Sequence, residues 1–466
     1  MAKEKIVIGK NSGAIYEIEK QIGSGGQGRV FSIKGGKYAF KLRGRKTGSK
    51  AQLLSRTISY IKTRPITDLP ISIPLEQVDG EALGYIMEMA TDMIAIEDLI
   101  KPEDGKSFSL WWKETGGLNK RILILKKIAE TLSKLHSRGL VYGDFSLSNI
   151  FVSSDSEYSE IFFIDSDNIT HESKVGTAVY TSGYAAPEII ETSDHKATSG
   201  YDTYTDNFSF AIIAYQLLTL NHPFIGDYVN EGESELEEQA YLGKIPWVSH
   251  SADYSNVANS GIPTSLTISK KMMAAFCETF EDGIIERFKR TSSTKWNEIL
   301  GSAVDAILHC QNKMCNQDFF YSEKIICPFC ETKINFIGMV GIYPAISGIK
   351  RDFIESHGDI TLKDVDRLGQ RICLKLISPE TWFIISEDDV LINSSNLAAL
   401  KIKFSNDSFF IEGISQKKID IIRDEELTKS FDISNVQRIV FKKNIRLSLC
   451  SNSNYKRILK ITIKIA

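Results

Sequence analysis

Two carboxylates and one amide near the middle of the chain have the types and spacing needed for phosphoryl transfer. Asp144 is followed by Asn149, and Asp165 ends the hydrophobic run Ile161–Ile164. With this spacing, one carboxylate can take the proton of an acceptor hydroxyl. The amide and the second carboxylate can hold a metal ion that bridges nucleotide phosphates. The same pattern occurs in many unrelated loops, so neighbouring elements have to support this interpretation.

Short apolar runs that alternate with polar residues predict β-strands at the start of the chain. These runs lie at residues 6–8, 16–18, 30–33 and 37–41. A glycine-rich G-x-G-x-x-G-x-V stretch lies between the second and third runs, with Gly23, Gly25, Gly28 and Val30 at its fixed positions. Strands flank it on both sides, which excludes a dinucleotide-binding loop, because that loop opens a helix. Its amides could close over phosphates, and Lys41 could reach them from the next strand. The alternatives are a flexible hairpin and a solvated lysine.

In this order the motifs resemble those of eukaryotic-type serine/threonine protein kinases. Further motifs of that family follow downstream: Thr181, Ala186-Pro187-Glu188, Asp206 and Arg290. The resemblance covers about residues 12–302 and implies a bilobal fold. It also implies that Thr181 lies in the substrate-binding loop and that Asp206 holds the catalytic loop in place. Glu188 and Arg290 are implied to form an ion pair. We interpret His136 as a structural histidine rather than a base.

The resemblance implies the use of ATP and Mg²⁺, with Asp144 and Lys41 as catalytic residues and Asn149 and Asp165 as metal ligands. The implied nucleotide-binding positions are Gly23, Gly25, Gly28, Val30, Ala39, Lys41, Glu88, Asn149 and Asp165. The implied partner is a protein substrate, or the chain itself, modified on serine or threonine hydroxyls.

Four departures from the family pattern modify this expectation. Residues 42–67 contain no Asp or Glu to pair with Lys41; either Gln52, a polar substitute of similar length, bonds to Lys41, or the phosphates alone hold it. Tyr142-Gly143 replaces the His-Arg pair, whose arginine reads an activation-segment phosphate, so we expect activity without that phosphorylation. Asp165-Ser166-Asp167 replaces Asp-Phe-Gly and loses the aromatic contact that sets active and inactive states. Ser146 stands where a lysine usually steadies the γ-phosphate.

These departures resemble a bacterial subgroup of kinases. That subgroup occurs with a von Willebrand-type protein and a phosphatase in the tellurite-resistance-associated phosphorylation triad, so both are possible partners. Two rival hypotheses remain. The missing helix glutamate would suit a pseudokinase scaffold that binds nucleotide and partners without phosphoryl transfer. The Gly-Asp-x-x-x-x-Asn loop also resembles that of antibiotic phosphotransferases, although the downstream motifs favour a protein-kinase large lobe.

A cysteine cluster follows the kinase-like region. Cys310, Cys315, Cys327 and Cys330 form two closely spaced pairs, a pattern that predicts a tetrahedral Zn²⁺ site. Four protein ligands leave no open position, so the predicted zinc is structural. The alternative is four reduced structural cysteines.

From about residue 350 onward, short alternating runs predict a β-rich domain without a recognisable ligand signature. The sequence therefore predicts an α+β chain: a bilobal kinase fold, a zinc knuckle and a small all-β, sandwich-like C-terminal domain. The predicted boundaries are 1–90 for the small lobe, 91–302 for the large lobe, 303–335 for the knuckle and 350–466 for the β-rich domain.

Charge and composition limit the remaining possibilities. The 466 residues carry a net charge of −3, which gives no global attraction to nucleic acid or to a membrane surface. The first residues lack the apolar core of a signal peptide. Seven cysteines, an odd number, argue against a secreted disulfide framework. We therefore expect a cytoplasmic protein.

Overall fold

A computed structural model describes most of the chain. It covers residues 6–25, 28–171, 180–194, 200–322, 325–344, 373–386, 398–405, 408–415, 418–423, 426–440, 445–449 and 457–465. The chain divides into two compact units, 1–300 and 301–466.

The first unit begins with an antiparallel sheet. Its strands are β1 (Ile6–Ile8), β2 (Ile15–Gly25), β3 (Gly28–Ile33), β4 (Tyr38–Arg45), β5 (Pro74–Gln77) and β6 (Ala82–Glu88). Their order across the sheet is β1-β2-β3-β4-β6-β5, so β4, which carries Lys41, is an inner strand. The amphipathic helix α1 (Gly48–Lys62) buries Leu54, Ile58 and Ile61 along one stripe. The four strands predicted from the sequence are confirmed.

The rest of the first unit is mainly helical. Its helices are α2 (Phe108–Glu114), α3 (Gly117–Ser137), α4 (Pro187–Asp194), α5 (Thr203–Thr219), α6 (Asp227–Asn230), α7 (Ser234–Tyr241), α8 (Thr264–Thr267), α9 (Lys270–Cys277), α10 (Gly283–Ile285) and α11 (Ser293–Val304), the last of which continues into the second unit. The strands among them are β7 (Met93–Ala95), β8 (Leu140–Val141), β9 (Ile150–Ser153), β10 (Ile161–Phe163) and β11 (Thr170–His171). Short 3₁₀ turns lie at Ile96–Leu99, Leu147–Asn149, Ser166–Asn168 and Arg287–Lys289, and a π-helical turn lies at Glu278–Asp282.

Helix α5 is the central element of this part. A capping box fixes its start, because the Asp202 carboxylate accepts hydrogen bonds from the amides of Tyr204 and Thr205 while the Thr205 hydroxyl bonds back. Nearly all of its side chains are buried, which explains why its sequence is apolar on every face. The helix holds Asp206, in its first turn, inside the protein.

The second unit consists mainly of strands in its described part. They are β12 (Ile307–His309), β13 (Asp318–Phe320), β14 (Phe336–Pro344), β15 (Cys373–Ile377), β16 (Phe383–Ser386), β17 (Ala398–Ser405), β18 (Ser408–Gly413), β19 (Lys418–Arg423), β20 (Glu426–Asp432), β21 (Gln437–Val440), β22 (Ile445–Leu449) and β23 (Arg457–Ile465). One sheet has the order β15-β14-β23-β22-β19-β20, another has the order β16-β17-β18-β21, and β12 pairs with β13. Buried residues of the two larger sheets, among them Val340, Phe404 and Ile461, belong to one hydrophobic cluster.

The alternating runs of the sequence, at residues 371–377, 382–385, 400–404, 409–412, 419–422, 439–441 and 458–465, predict β15 to β19, β21 and β23, but no run predicts β12, β14, β20 or β22. Among the described helices, none combines the length and apolar character needed to span a membrane.

Candidate active site

A buried carboxylate holds the catalytic loop in place. Asp206 is fully buried and accepts hydrogen bonds from the backbone amides of Tyr142, at 2.7 Å, and Gly143, at 3.0 Å. A carboxylate only accepts, so His136 Nε2, 3.0 Å away, donates to it, and His136 Nδ1 lies 3.2 Å from the Ser293 hydroxyl. His136 is therefore structural, as predicted. Gly143 has φ 91°, a left-handed conformation that favours glycine at this position.

The loop presents Asp144 in a small cleft. Its side chain is 7% exposed, and Oδ1 accepts hydrogen bonds from both the amide and the hydroxyl of Thr181, each at 2.9 Å. Burial raises the pKa of Asp144, although the bonds from Thr181 oppose that rise. A carboxylate with a raised pKa is a better proton acceptor, and Thr181 connects it directly to the segment predicted to hold substrate.

Asn149 and Asp165 lie beside each other because their strands pair. Asn149 directly precedes β9, Asp165 follows β10, and Ile150 lies opposite Phe163 in the antiparallel register. The amide of Ile164 donates to the Asn149 carbonyl at 2.9 Å. The Asn149 side-chain nitrogen donates to the Asp144 carbonyl at 2.8 Å, so the side-chain oxygen is not needed for that bond. An amide oxygen beside a carboxylate is the kind of hard donor set that Mg²⁺ prefers, and these residues therefore fit a magnesium site.

Lys41 lies next to the predicted metal ligand. Its side chain is 2% exposed, and Nζ is 2.7 Å from Asp165 Oδ1. Gln52, the substitute proposed from the sequence, lies exposed on α1, and Lys41 has an acidic group at bonding distance in Asp165, which follows β10. The ammonium and the carboxylate compensate each other's charge in a site where either alone would be costly to bury.

Two of the other predicted nucleotide positions, Val30 and Ala39, share a face of the sheet with Lys41, whereas Glu88 lies on the opposite face. Val30 is opposite Lys41 in the register, and Ala39 lies two residues before Lys41 on β4, so the three side chains share a face. That face is covered by α1, since Val30 and Ala39 belong to the same cluster as Leu54. Glu88 ends β6, opposite Tyr38 on β4, and its side chain is exposed.

The glycine-rich loop forms the hairpin between β2 and β3. Gly23 pairs with Val30, and Gly25 pairs with Gly28. Gly28 has φ 139°, and a Cβ there would lie 2.3 Å from the Leu42 carbonyl oxygen, so only glycine fits. Residues 26–27, at the tip of the predicted loop, lie outside the described residues.

The ion pair expected downstream is present. Arg290 Nη1 and Nη2 lie 2.7 and 2.8 Å from the two carboxylate oxygens of Glu188, and Arg290 Nε donates to the Gly283 carbonyl at 2.9 Å. Arg290 is 4% exposed. This bidentate geometry connects the start of α4 to the segment before α11.

Two of the sequence departures have a visible structural consequence. Ser146 is fully buried, and its hydroxyl lies 2.9 Å from the Ser148 hydroxyl, so this position contributes a local hydrogen bond rather than a charge. Ser166 is also buried, and its hydroxyl donates to the Ser72 carbonyl. Sequence reasoning treated Ser166 only as a lost aromatic contact and did not single out Ser72, because nothing in the local pattern marks that backbone partner.

The four cysteines of the predicted metal site come together in the second unit. The Sγ atoms of Cys310, Cys315, Cys327 and Cys330 all lie within 4.8 Å of one another. The distances within two of the pairs are 3.6 Å for Cys310–Cys330 and 3.8 Å for Cys315–Cys327. A tetrahedral Zn–S₄ centre with bonds of ~2.3 Å places its sulfurs ~3.8 Å apart, so the cluster fits zinc.

The backbone around the cysteines has the form of two tight turns. Asn316 and Glu331, which follow the second cysteine of each pair, have φ values of 50° and 59°. The amide of Glu331 donates to the Cys327 carbonyl at 2.9 Å. Left-handed residues at equivalent places bend each turn back on itself and direct its two thiols to one point.

A β-sheet with a glycine-rich hairpin, a buried lysine and a pair of metal-suited residues, followed by a mainly helical part, is the arrangement of a kinase-type fold. The family model for the protein kinase domain matches residues 16–279, which is more than half of the chain. The chain belongs to the protein kinase family.

Curated relatives agree with this assignment at low identity. Ribosomal protein S6 kinase alpha-3 of Homo sapiens is 26% identical over 215 residues, which cover 45% of this chain and 27% of that protein. Myosin light chain kinase A of Dictyostelium discoideum is 28% identical over 164 residues, covering 34% of this chain and 50% of the relative. The matched region thus spans between a quarter and a half of these relatives' length.

A solved structure is also similar. It is ROP2 from Toxoplasma gondii, described as a virulence factor with a protein-kinase fold and no enzymatic activity. The TM-score is 0.45 at 13% identity, and the match covers 65% of this chain and 86% of that one.

Proposed function

We propose that this protein is an ATP- and Mg²⁺-dependent serine/threonine protein kinase that modifies a partner protein or itself. The observation that carries the proposal is the joint arrangement of Asp144 with Thr181 and of Lys41 with Asp165. The first pair suits an acceptor hydroxyl, and the second suits a metal–phosphate group. Membership of the kinase family supports both assignments.

Each residue would have a distinct task. Asp144 would orient the acceptor hydroxyl and take its proton, helped by a pKa that burial raises. Lys41 would bind phosphate oxygens, and the hairpin of Gly23, Gly25 and Gly28 would cover them with backbone amides. Mg²⁺ held by Asn149 and Asp165 would neutralise charge on the phosphates.

Incubation with radiolabelled ATP and Mg²⁺, alone and with candidate partner proteins, tests the proposal. We expect label transfer by the wild type and a loss of at least a hundredfold in Asp165→Ala. Asp98→Ala, which removes an exposed carboxylate, is the matched control and should transfer label normally. Equal labelling by wild type and Asp165→Ala would refute the enzyme assignment.

The second candidate is a pseudokinase scaffold. One observation favours it: α1 offers Lys41 no acidic residue, and Asp165 pairs with Lys41 instead. A scaffold would bind nucleotide without transferring phosphate, and Asp144→Ala would leave its partner binding and its labelling unchanged.

Finer features belong to the same proposal. We infer a place in the bacterial subgroup described above, with a von Willebrand-type protein and a phosphatase as partners. The support is the Gly-Asp catalytic loop, the Ile-Asp-x-Asp motif and the cysteine cluster. A cytoplasmic location is likewise proposed. Affinity capture with each partner type tests this assignment, and failure to retain either would argue against the subgroup.

The second unit is proposed to combine a structural Zn²⁺ site with a β-sandwich. The distances among the cysteine Sγ atoms support the metal. The shared hydrophobic cluster of the two antiparallel sheets supports the sandwich, since sheets that pack face to face bury their inner residues together.

A further inference from the structure

Asp165, the proposed metal ligand, has an unusual backbone. Its dihedral angles are φ 60° and ψ 41°, which is the left-handed helical region. Residues other than glycine are uncommon there, although aspartate is among the more tolerant. Such a conformation persists only when the surroundings hold it, because the chain would otherwise relax to a more populated region.

Two buried hydroxyls hold the residues on either side of Asp165. The hydroxyl of Tyr142 donates to the carbonyl of Ile164, directly before it. The hydroxyl of Ser166, directly after it, donates to the carbonyl of Ser72. Tyr142 and Ser166 are 0% and 1% exposed, so water does not compete for either bond.

Ser72, whose carbonyl accepts the bond from Ser166, is itself hydrogen-bonded to β10, the strand that precedes Asp165. The Ser72 amide donates to the Phe163 carbonyl at 2.7 Å, and the Phe163 amide donates to the Pro70 carbonyl at 2.8 Å. Residues 70–72 therefore run beside the end of β10, where Ile71 and Phe163 form an isolated parallel bridge. Ser166 bonds to this segment one turn after β10 ends, and this closes a loop of hydrogen bonds around Asp165.

The tyrosine hydroxyl is equally well fixed. The ring of Tyr142 packs against those of Phe145 and Phe163, with centroids 5.3 and 5.4 Å away and nearly perpendicular planes. Its backbone amide donates to Asp206. Tyr142 therefore connects the catalytic loop to the backbone directly before Asp165 through one rigid side chain.

We propose that the hydroxyls of Tyr142 and Ser166 form a clamp that positions Asp165 for the metal, in place of the aromatic residue expected at position 166. Both are positioning residues and touch neither metal nor nucleotide. The inference rests on the proposed function in that it takes Asp165 as a Mg²⁺ ligand.

The test uses full-length Tyr142→Phe, Ser166→Ala and the double variant. Tyr142→Phe keeps the ring and removes only the hydroxyl. Nucleotide affinity is measured with a fluorescent ATP analogue at increasing Mg²⁺ and again in EDTA. We expect each single variant to need roughly five- to tenfold more Mg²⁺ for half-maximal enhancement of binding, since each loses one buried hydrogen bond. Affinity in EDTA should stay unchanged, which a general structural defect would not allow.

Two control variants remove buried hydroxyls elsewhere. Tyr215→Phe removes a hydroxyl that bonds to Ser249, and Thr131→Val removes one that bonds to the Lys127 carbonyl. Both should keep the wild-type Mg²⁺ dependence.

Thermal unfolding of every variant shows which ones fold. The two single variants are independent, so either one alone can decide the matter. Wild-type Mg²⁺ dependence in a folded Tyr142→Phe or Ser166→Ala would overturn the clamp. Nucleotide binding by the wild type that does not respond to Mg²⁺ would instead overturn the metal site of the proposed function, and the clamp with it.

Discussion

The Glu188–Arg290 pair allows a quantitative test of how the helical part of the first unit is held together. Arg290→Met keeps an unbranched apolar stem over Phe208, whose ring centroid is 4.8 Å from the guanidinium carbon. The change removes two hydrogen bonds to Glu188, one to the Gly283 carbonyl and a longer one, 3.3 Å, to the Tyr204 carbonyl. The Glu188 side chain is only 23% exposed, so its charge loses its main compensation.

Removing one partner of a buried ion pair lowers the free energy of unfolding by about 3–5 kcal/mol. Because Glu188 is partly exposed, we expect a loss of about 3 kcal/mol in Arg290→Met. Glu188→Gln retains one acceptor and should cost less, about 1–2 kcal/mol. The matched control is Lys134→Met, which removes an i,i+4 pair with Glu130 whose side chains are 52% and 33% exposed, and it should cost no more than about 0.5 kcal/mol.

Urea unfolding followed by tryptophan fluorescence measures these differences. Four of the five tryptophans lie in the first unit, so the signal reports mainly on that unit; they are Trp111, Trp112, Trp247 and Trp296. A loss in Arg290→Met no larger than that in Lys134→Met would refute the argument that burial makes this pair important.

The pH dependence of the same pair has a definite sign. Burial acts to raise the pKa of Glu188, but the hydrogen bonds and charge of Arg290 outweigh it, and the net pKa is lowered from the ordinary 4.5. A lowered pKa in the folded state means that the stabilisation is complete above pH 4.5 and is lost as pH falls through the folded-state pKa. The difference between wild type and Arg290→Met should therefore be constant near neutral pH and shrink in acid.

Three further predictions follow from the sites. Metal analysis of the purified protein should find about one zinc per chain, and Cys327→Ser should lose it, while Cys277→Ser should keep it; zinc retained by Cys327→Ser would contradict the four-cysteine site. Phosphatase treatment should leave label transfer unchanged, because Tyr142-Gly143 lacks the arginine that reads a phosphate, and abolished turnover would refute this expectation. Thr181→Val should lower kcat about tenfold or more with little change in KM for ATP, since the Thr181 hydroxyl bonds the Asp144 carboxylate, and a kcat equal to that of the wild type would show that this bond does not position Asp144.

Much of the first unit could be predicted because each of its motifs requires a particular residue type at a particular position in the fold. A glycine that must tolerate φ 139°, as Gly28 does, is visible in the sequence, and so is a strand lysine such as Lys41. The cysteine cluster could also be predicted, because closely spaced cysteines on a tight turn bring their sulfur atoms near one another.

What the sequence did not predict depends on backbone partners far along the chain. Ser166 was interpreted as a loss, because an aromatic contact can be read from residue type whereas a hydroxyl bond to the Ser72 carbonyl cannot. The sequence offers Gln52 as a polar partner for Lys41, whereas the approach of Asp165 depends on how β10 ends rather than on any spacing along α1. Strand β14 was missed because an isolated apolar run can belong to a strand or to a helix when periodicity is its only signal.

The Lys41–Asp165 pair bears on the choice between a kinase and a scaffold. Without nucleotide, the buried ammonium of Lys41 and the half-buried carboxylate of Asp165 compensate each other, and this pairing needs no acidic residue on α1. Bound Mg²⁺·ATP would give each charge a new partner, since phosphate oxygens can take the ammonium and the metal can take the carboxylate. Either ligand alone would take one member of the pair and weaken the compensation of the other. Metal and nucleotide should therefore bind cooperatively, and because such coupling is reciprocal, each should raise the affinity for the other by the same factor. The missing glutamate on α1 therefore means that Lys41 pairs with a different residue, Asp165, when no nucleotide is bound. It is not an argument against phosphoryl transfer.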